Sequence, residues 1–140
     1  MRKVLIPVDG SEHALRAVHH MVEFVREHGP VEVHLLNVEP APVAWQTHGM
    51  EPEAIESQLR FRSRELTEGA REILDHAGIA HQSHFKLGDA AEAIAEAARS
   101  HGCDAIVMGT RGLGAITGWV LGSVARKVLH LTDLPVTLVK

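Results

Sequence analysis

Short apolar runs rich in β-branched residues alternate along this chain with longer stretches whose apolar positions return every three or four residues. Residues 3–8 form the first run, and Asp9-Gly10-Ser11 breaks it. Ala14, Val18, Met21/Val22 and Val25 then recur at helical spacing until Gly29-Pro30 stops them. Residues 31–38 read as a second strand. Residues 39–50, with two prolines and a glycine, read as a loop long enough to act as a lid over a ligand. A helix is expected over residues 51–77, with Ile55, Leu59, Leu66, Ala70, Ile73/Leu74 and Ala77 as its buried stripe and Gly78 as its end. Residues 81–87 form a weaker third strand. Asp89 followed by Glu92 gives a capping box for a helix over residues 90–100. Residues 105–108, 124–131 and 136–139 complete the pattern as strand, helix and strand.

This βαβαβαβαβ order requires parallel pairing with right-handed crossovers, and a three-layer α/β sandwich satisfies it. Residues 1–140 are expected to form one domain, since no linker, composition shift or internal repeat divides them. In doubly wound sheets ligands bind beyond the carboxyl ends of the strands, where the strand order reverses. With order 3-2-1-4-5, the reversal lies between strands one and four, so Asp9 and Gly109 converge on one crevice.

Composition narrows the function classes. Apolar content of 45% and a formal charge of −4 describe a globular protein rather than a general binder of nucleic acid or membrane surfaces. No segment reads as a membrane span or a signal peptide, so the cytoplasm is the expected compartment. The one cysteine, Cys103, heads an apolar strand and reads as a buried, inert thiol. Eleven histidines invite a metal reading that their local spacing discourages. No pair stands four apart on an expected helix, and His81 and His84 point to opposite faces of a strand. Solvent-facing histidines and no metal site are therefore expected.

The candidate chemistry lies at Gly109-Thr-Arg-Gly112, followed after nine residues by Gly122-Ser123. Glycines admit close approach to the backbone, and a helix start offers unpaired N–H groups to a phosphate. An ordinary strand-to-helix connection is the other reading of the same residues. No Gly-Lys pair exists to make a P-loop, and Gly109, Gly112 and Gly114 do not form a dinucleotide fingerprint. Asp9 can accept from ribose hydroxyls, or can merely break the strand and cap the next helix. Ser123 can bind phosphate, cap its helix, or do both. Arg111 can pair with phosphate or stay solvated, while Arg126 and Lys127 are expected to face solvent.

Residues 4–12 (Val-Leu-Ile-Pro-Val-Asp-Gly-Ser-Glu), residues 35–39 (Leu-Leu-Asn-Val-Glu) and the Gly-x2-Gly-x9-Gly-Ser spacing resemble the universal stress protein family. The resemblance spans essentially the whole chain, and the nine-residue spacer is that of the family's ATP-binding branch. It implies a flavodoxin-like, adenine nucleotide alpha hydrolase-like fold with five parallel strands in order 3-2-1-4-5. It implies ATP binding, usually a homodimer, and cytoplasmic stress adaptation. Mg2+ or Mn2+ is expected to arrive on the nucleotide's phosphates, the unpaired sheet edge of Val136–Val139 is the expected dimer contact, and the lack of catalytic carboxylates in the glycine loop favours a sensor or switch. Carried onto this sequence, the binding set is Pro7, Val8, Asp9, Val38, Met108, Gly109, Arg111, Gly112, Gly122, Ser123 and Val124. Asp9 would contact the nucleoside, the Val38 main chain the adenine, and Gly109, Gly112, Gly122 and Ser123 the phosphates. Two other activities stay open: a slow or partner-stimulated ATPase, and a dimeric interaction protein that binds no nucleotide.

Overall fold

A computed structural model describes residues 1–110 and 121–140. Five strands and four helices alternate: β1 (Lys3–Pro7), α1 (Glu12–His28), β2 (Glu32–Glu39), α2 (Pro52–His76), β3 (His81–Leu87), α3 (Ala90–Ser100), β4 (Ala105–Gly109), α4 (Ser123–Leu131) and β5 (Val136–Val139). The strands form one parallel sheet in the order β3-β2-β1-β4-β5. A 3-10 turn, Ala44–Gln46, lies within the segment after β2.

Alternation along the strands divides the core into two layers. Val4, Ile6, Val33 and Leu35 pack against Ala17, Val18 and Met21 of α1 and against Ala70 and Leu74 of α2. Leu5, Leu36, Ile106 and Met108 face the other way, onto Ala91, Ile94 and Ala98 of α3 and Ala125 and Val128 of α4. Both faces of the central strands are covered, which explains why residues 105–108 read as a continuous apolar run.

The structure adjusts three expectations. The buried stripe of α2 runs through Ser63, Thr67, Ala70 and Leu74, while Ala77 is exposed beyond the helix. Thr67 Oγ1 donates to the Ser63 carbonyl at 2.9 Å, so its hydroxyl is satisfied inside the helix and can be buried. Asp89 does cap α3 by accepting from the Glu92 N–H at 3.0 Å, but the Glu92 side chain turns to Lys127 instead of closing the box. Gly109 is the last residue of β4, paired with Val139, rather than the start of a loop.

Buried Asn37 ties the sheet together near the site. Its Nδ2 donates to the Val8 carbonyl at 2.9 Å, fixing the chain just after β1 against β2. At the opposite end, Asp104 Oδ2 accepts from the Arg2 and Lys3 N–H groups at 2.8 and 3.1 Å.

Cys103 is buried, and burial pushes its thiol up to about 11. Alkylation proceeds through the thiolate. The native chain should therefore react with iodoacetamide at neutral pH about 100-fold more slowly than the urea-unfolded chain, as followed by mass spectrometry.

Candidate functional site

The carboxyl ends of β1 and β4 open onto a cavity of about 250 Å³ where the strand order reverses. Pro7, Val8 and Asp9 reach it from β1 and its exit, Val38 from β2, and Met108 and Gly109 from β4. Gly122, Ser123 and Val124 reach it from the start of α4. Arg111, Gly112 and the spacer up to residue 120 lie outside the described residues.

Sequence reasoning did not single out Ser11, Ala14, Leu36, Ala90, Ile94, Thr110 or Ala125, which also line the cavity. The small residues stand in the first turns of α1, α3 and α4 and let those helix starts come close. Among the described side chains, none from 39–50 lines the cavity.

Three helices present their first turns to this cavity, and their caps differ. Ser11 Oγ accepts from the Ala14 N–H at 3.2 Å and closes the start of α1. Asp89 closes α3, and the Glu92 N–H and Lys127 hold its carboxyl below the usual carboxylate range. The start of α4 has Gly122 as its N-cap and no capping side chain. The first N–H groups of a helix lack intrahelical partners and carry the positive end of its dipole. Of these three helix starts, α4 is the one with no capping side chain among the described residues. Ser123 is the first helical residue, not the cap, so its hydroxyl is not committed to that role.

Asp9 does not cap α1 itself. Its Oδ1 accepts from the Ser11 N–H at 2.9 Å, which shapes the turn and leaves capping to Ser11. A carboxylate has two oxygens and about four acceptor positions, so this bond is compatible with a second donor from a ligand. Arg126 Nη2 donates to the Leu121 carbonyl at 3.3 Å, and Lys127 pairs with Asp89 at 3.1 Å. Both cations therefore brace the helix starts.

The two described glycines of the motif are explained differently from expectation. Neither needs a positive φ: Gly122 has φ −60°, and Gly109 is not among the positive-φ glycines. A Cβ at Gly109 would stand 2.7 Å from the His13 carbonyl oxygen. The first turn of α1 by itself demands glycine there. Gly109→Ala should push β4 away from α1 and cost about 1–3 kcal/mol of stability, measured as a lower urea midpoint with an unchanged slope.

His19, His20, His28, His48, His76 and His130 are exposed as expected, but three other histidines depart from expectation. His34 is buried, and its ring stacks beside those of half-buried His84 and His101. His81 does point to the opposite face, where its Nε2 meets Asp75 Oδ1 at 2.7 Å. Local spacing missed the cluster because its members come from β2, β3 and the end of α3.

Residues 1–140 match the model of a family described as the universal stress protein family. A Thermus aquaticus protein named "Universal stress protein in QAH/OAS sulfhydrylase 3'region" is 34% identical over 140 residues, covering 99% of this chain and 98% of its own. The solved structure of hypothetical protein MJ0577, the subject of a structure-based assignment of biochemical function, superposes with a TM-score of 0.84 at 28% identity. That match covers 99% of this chain and 95% of the other. A universal stress protein from Archaeoglobus fulgidus, solved in complex with dAMP, shares the fold with a TM-score of 0.70 at 24% identity, covering 100% and 98%. Among the described residues, no helix is long and apolar enough to cross a membrane.

Proposed function

The chain belongs to the universal stress protein family, and we propose that it binds ATP, with Mg2+ or Mn2+ carried by the phosphates, as a nucleotide-dependent sensor or switch in cytoplasmic stress adaptation. The observation that carries this reading is the uncapped start of α4, which faces the same cavity as the Asp9 carboxylate. Leu36, Val38, Ile94 and Met108 supply an apolar wall suited to the flat face of a purine. The Val38 main chain reads the adenine edge, with Pro7 and Val8 beneath the nucleoside. Asp9 accepts from the ribose hydroxyls. The phosphates rest on the N–H groups of Ser123 and Val124 and on the Ser123 hydroxyl, with Gly122 leaving them room. Arg111 and Gly112, outside the described residues, are assigned to the phosphates by the family resemblance alone. The dAMP complex of the Archaeoglobus fulgidus protein supports an adenine nucleotide at the level of the shared fold.

Binding is favoured over turnover by the lining itself. Phosphoryl transfer calls for carboxylates on the metal and a group that orients the nucleophile. Among the described lining residues Asp9 is the sole carboxylate, and it is assigned here to the ribose. The metal's partners would be chiefly phosphate oxygens and water, as is common for magnesium.

The direct test is to denature freshly purified protein, identify any released nucleotide by mass, and titrate the emptied chain with ATP in a calorimeter. An adenine nucleotide near one per chain, or saturable ATP binding, is the expected result. A chain that releases none and takes up none overturns the reading.

A further inference from the structure

We propose that His34, His84 and His101 form a three-histidine site for a divalent transition metal, with zinc the expected ion and Glu32 orienting His34. One ring nitrogen from each histidine lies within 4.8 Å of the others. Tetrahedral zinc with Zn–N bonds near 2.0–2.1 Å places its nitrogens about 3.3 Å apart, so the set closes by side-chain adjustment alone. The three residues come from separate elements. His34 and His84 project from β2 and β3 to the same face, and His101 terminates α3 above them.

The protons in the metal-free arrangement suit this chemistry. His34 Nε2 meets Glu32 Oε1 at 2.8 Å, and a carboxylate there fixes the proton on Nε2. His34 Nδ1 then carries the lone pair, and His84 Nε2–H donates to it at 2.8 Å. When an ion enters, His84 moves its proton to Nδ1 and presents Nε2 as a second ligand.

A carboxylate on the far nitrogen of a metal-binding histidine is the usual outer-shell partner of such sites. Imidazole donors without a thiolate suit zinc, copper or nickel rather than magnesium or calcium. Three protein ligands leave a fourth position for water, and the partial exposure of His84 and His101 gives it access. Two features oppose the ion. The His84 and His101 rings stack at 3.9 Å and must tilt apart to converge on it. Lys86 and Lys3 add nearby positive charge, which Glu32 offsets through its contacts with His34 and, at 3.9 Å, with Lys3.

This site is separate from the nucleotide cavity. None of its histidines lines that cavity, whose Ala90 stands at the other end of the eleven-residue α3. At 1.5 Å per residue the two ends are about 16 Å apart. A bound ion would clamp β2, β3 and α3 together and so stabilise the native chain.

The test uses the untagged, chelator-stripped full chain without nucleotide, titrated with ZnCl2 by calorimetry and separately with CoCl2 by visible absorption. One zinc per chain and the strong absorption of four-coordinate cobalt are expected. His84→Gln and His101→Gln should each weaken zinc binding by about 100-fold, and Glu32→Gln by about tenfold. His48→Gln, at an exposed loop position, should change nothing. Absence of saturable zinc binding by the parent overturns the proposal. So does binding that His84→Gln and His101→Gln leave intact while circular dichroism reports a native fold.

Discussion

Replacing Gly122 with valine should weaken ATP binding by about 100-fold or more while leaving the fold in place. Gly122 has φ −60° and ψ 152°, an extended conformation that β-branched residues adopt without strain. Its N–H donates to the Thr110 carbonyl at 2.7 Å, a bond that valine keeps. The expected stability cost is that of a poorer N-cap, about 1 kcal/mol. Affinity should suffer far more, because the new branched side chain stands at the start of α4, the one helix start at the cavity with no capping side chain among the described residues. A 100-fold loss corresponds to about 2.7 kcal/mol, well within what several charge-assisted bonds to phosphate supply. Adenosine lacks phosphates, so its affinity should fall little. Calorimetry with ATP and adenosine on both proteins separates the effects. Undiminished ATP binding by folded Gly122→Val would place the phosphates elsewhere; an equal loss for both ligands would indicate a collapsed cavity.

That expectation draws on features the sequence showed clearly and on one it did not. The alternation of period-two and helical patterns fixed the element order, and the parallel sheet followed from connection lengths alone. Asp9 and Gly109 could be brought to one crevice because topology, not side-chain detail, places strand ends. The reason for Gly109 was invisible, since the His13 carbonyl that excludes a Cβ belongs to another element. Ser63 and Thr67 were passed over because period counting treats polar residues as solvent-facing, although Thr67 satisfies its own hydroxyl within the helix. The histidine cluster needed the β2–β3 register, in which His34 pairs with Gln82 and His84 with Leu36, and the position of the end of α3 as well. Local spacing carries no information of that kind.

Leu138→Pro should convert a dimer into a monomer, and Thr137→Pro should instead damage the fold. β5 is an edge of the sheet, and its residues are only half buried. Such an edge is a ready template for a second copy of the chain, and a two-fold axis would let the two β5 strands pair with each other. The bonds flanking β5 decide which donor faces which way. Ile106 N donates to the Pro135 carbonyl and Thr110 N to the Val139 carbonyl, each at 3.0 Å. The parallel pattern then directs the N–H groups of Thr137 and Val139 to β4 and that of Leu138 outward. Proline at Leu138 removes an outward donor from each copy, two bonds at about 1 kcal/mol apiece, or roughly 30-fold in dimer affinity. The pyrrolidine ring adds a clash with the facing strand. Leu138 also packs against the core beneath α3 and α4, so Leu138→Ala is the control that loses packing but keeps the donor. Light scattering at micromolar concentration should show a dimer for the parent and for Leu138→Ala, and a monomer for Leu138→Pro. A parent that is monomeric, or a Leu138→Pro variant that stays dimeric, would remove β5 as the interface.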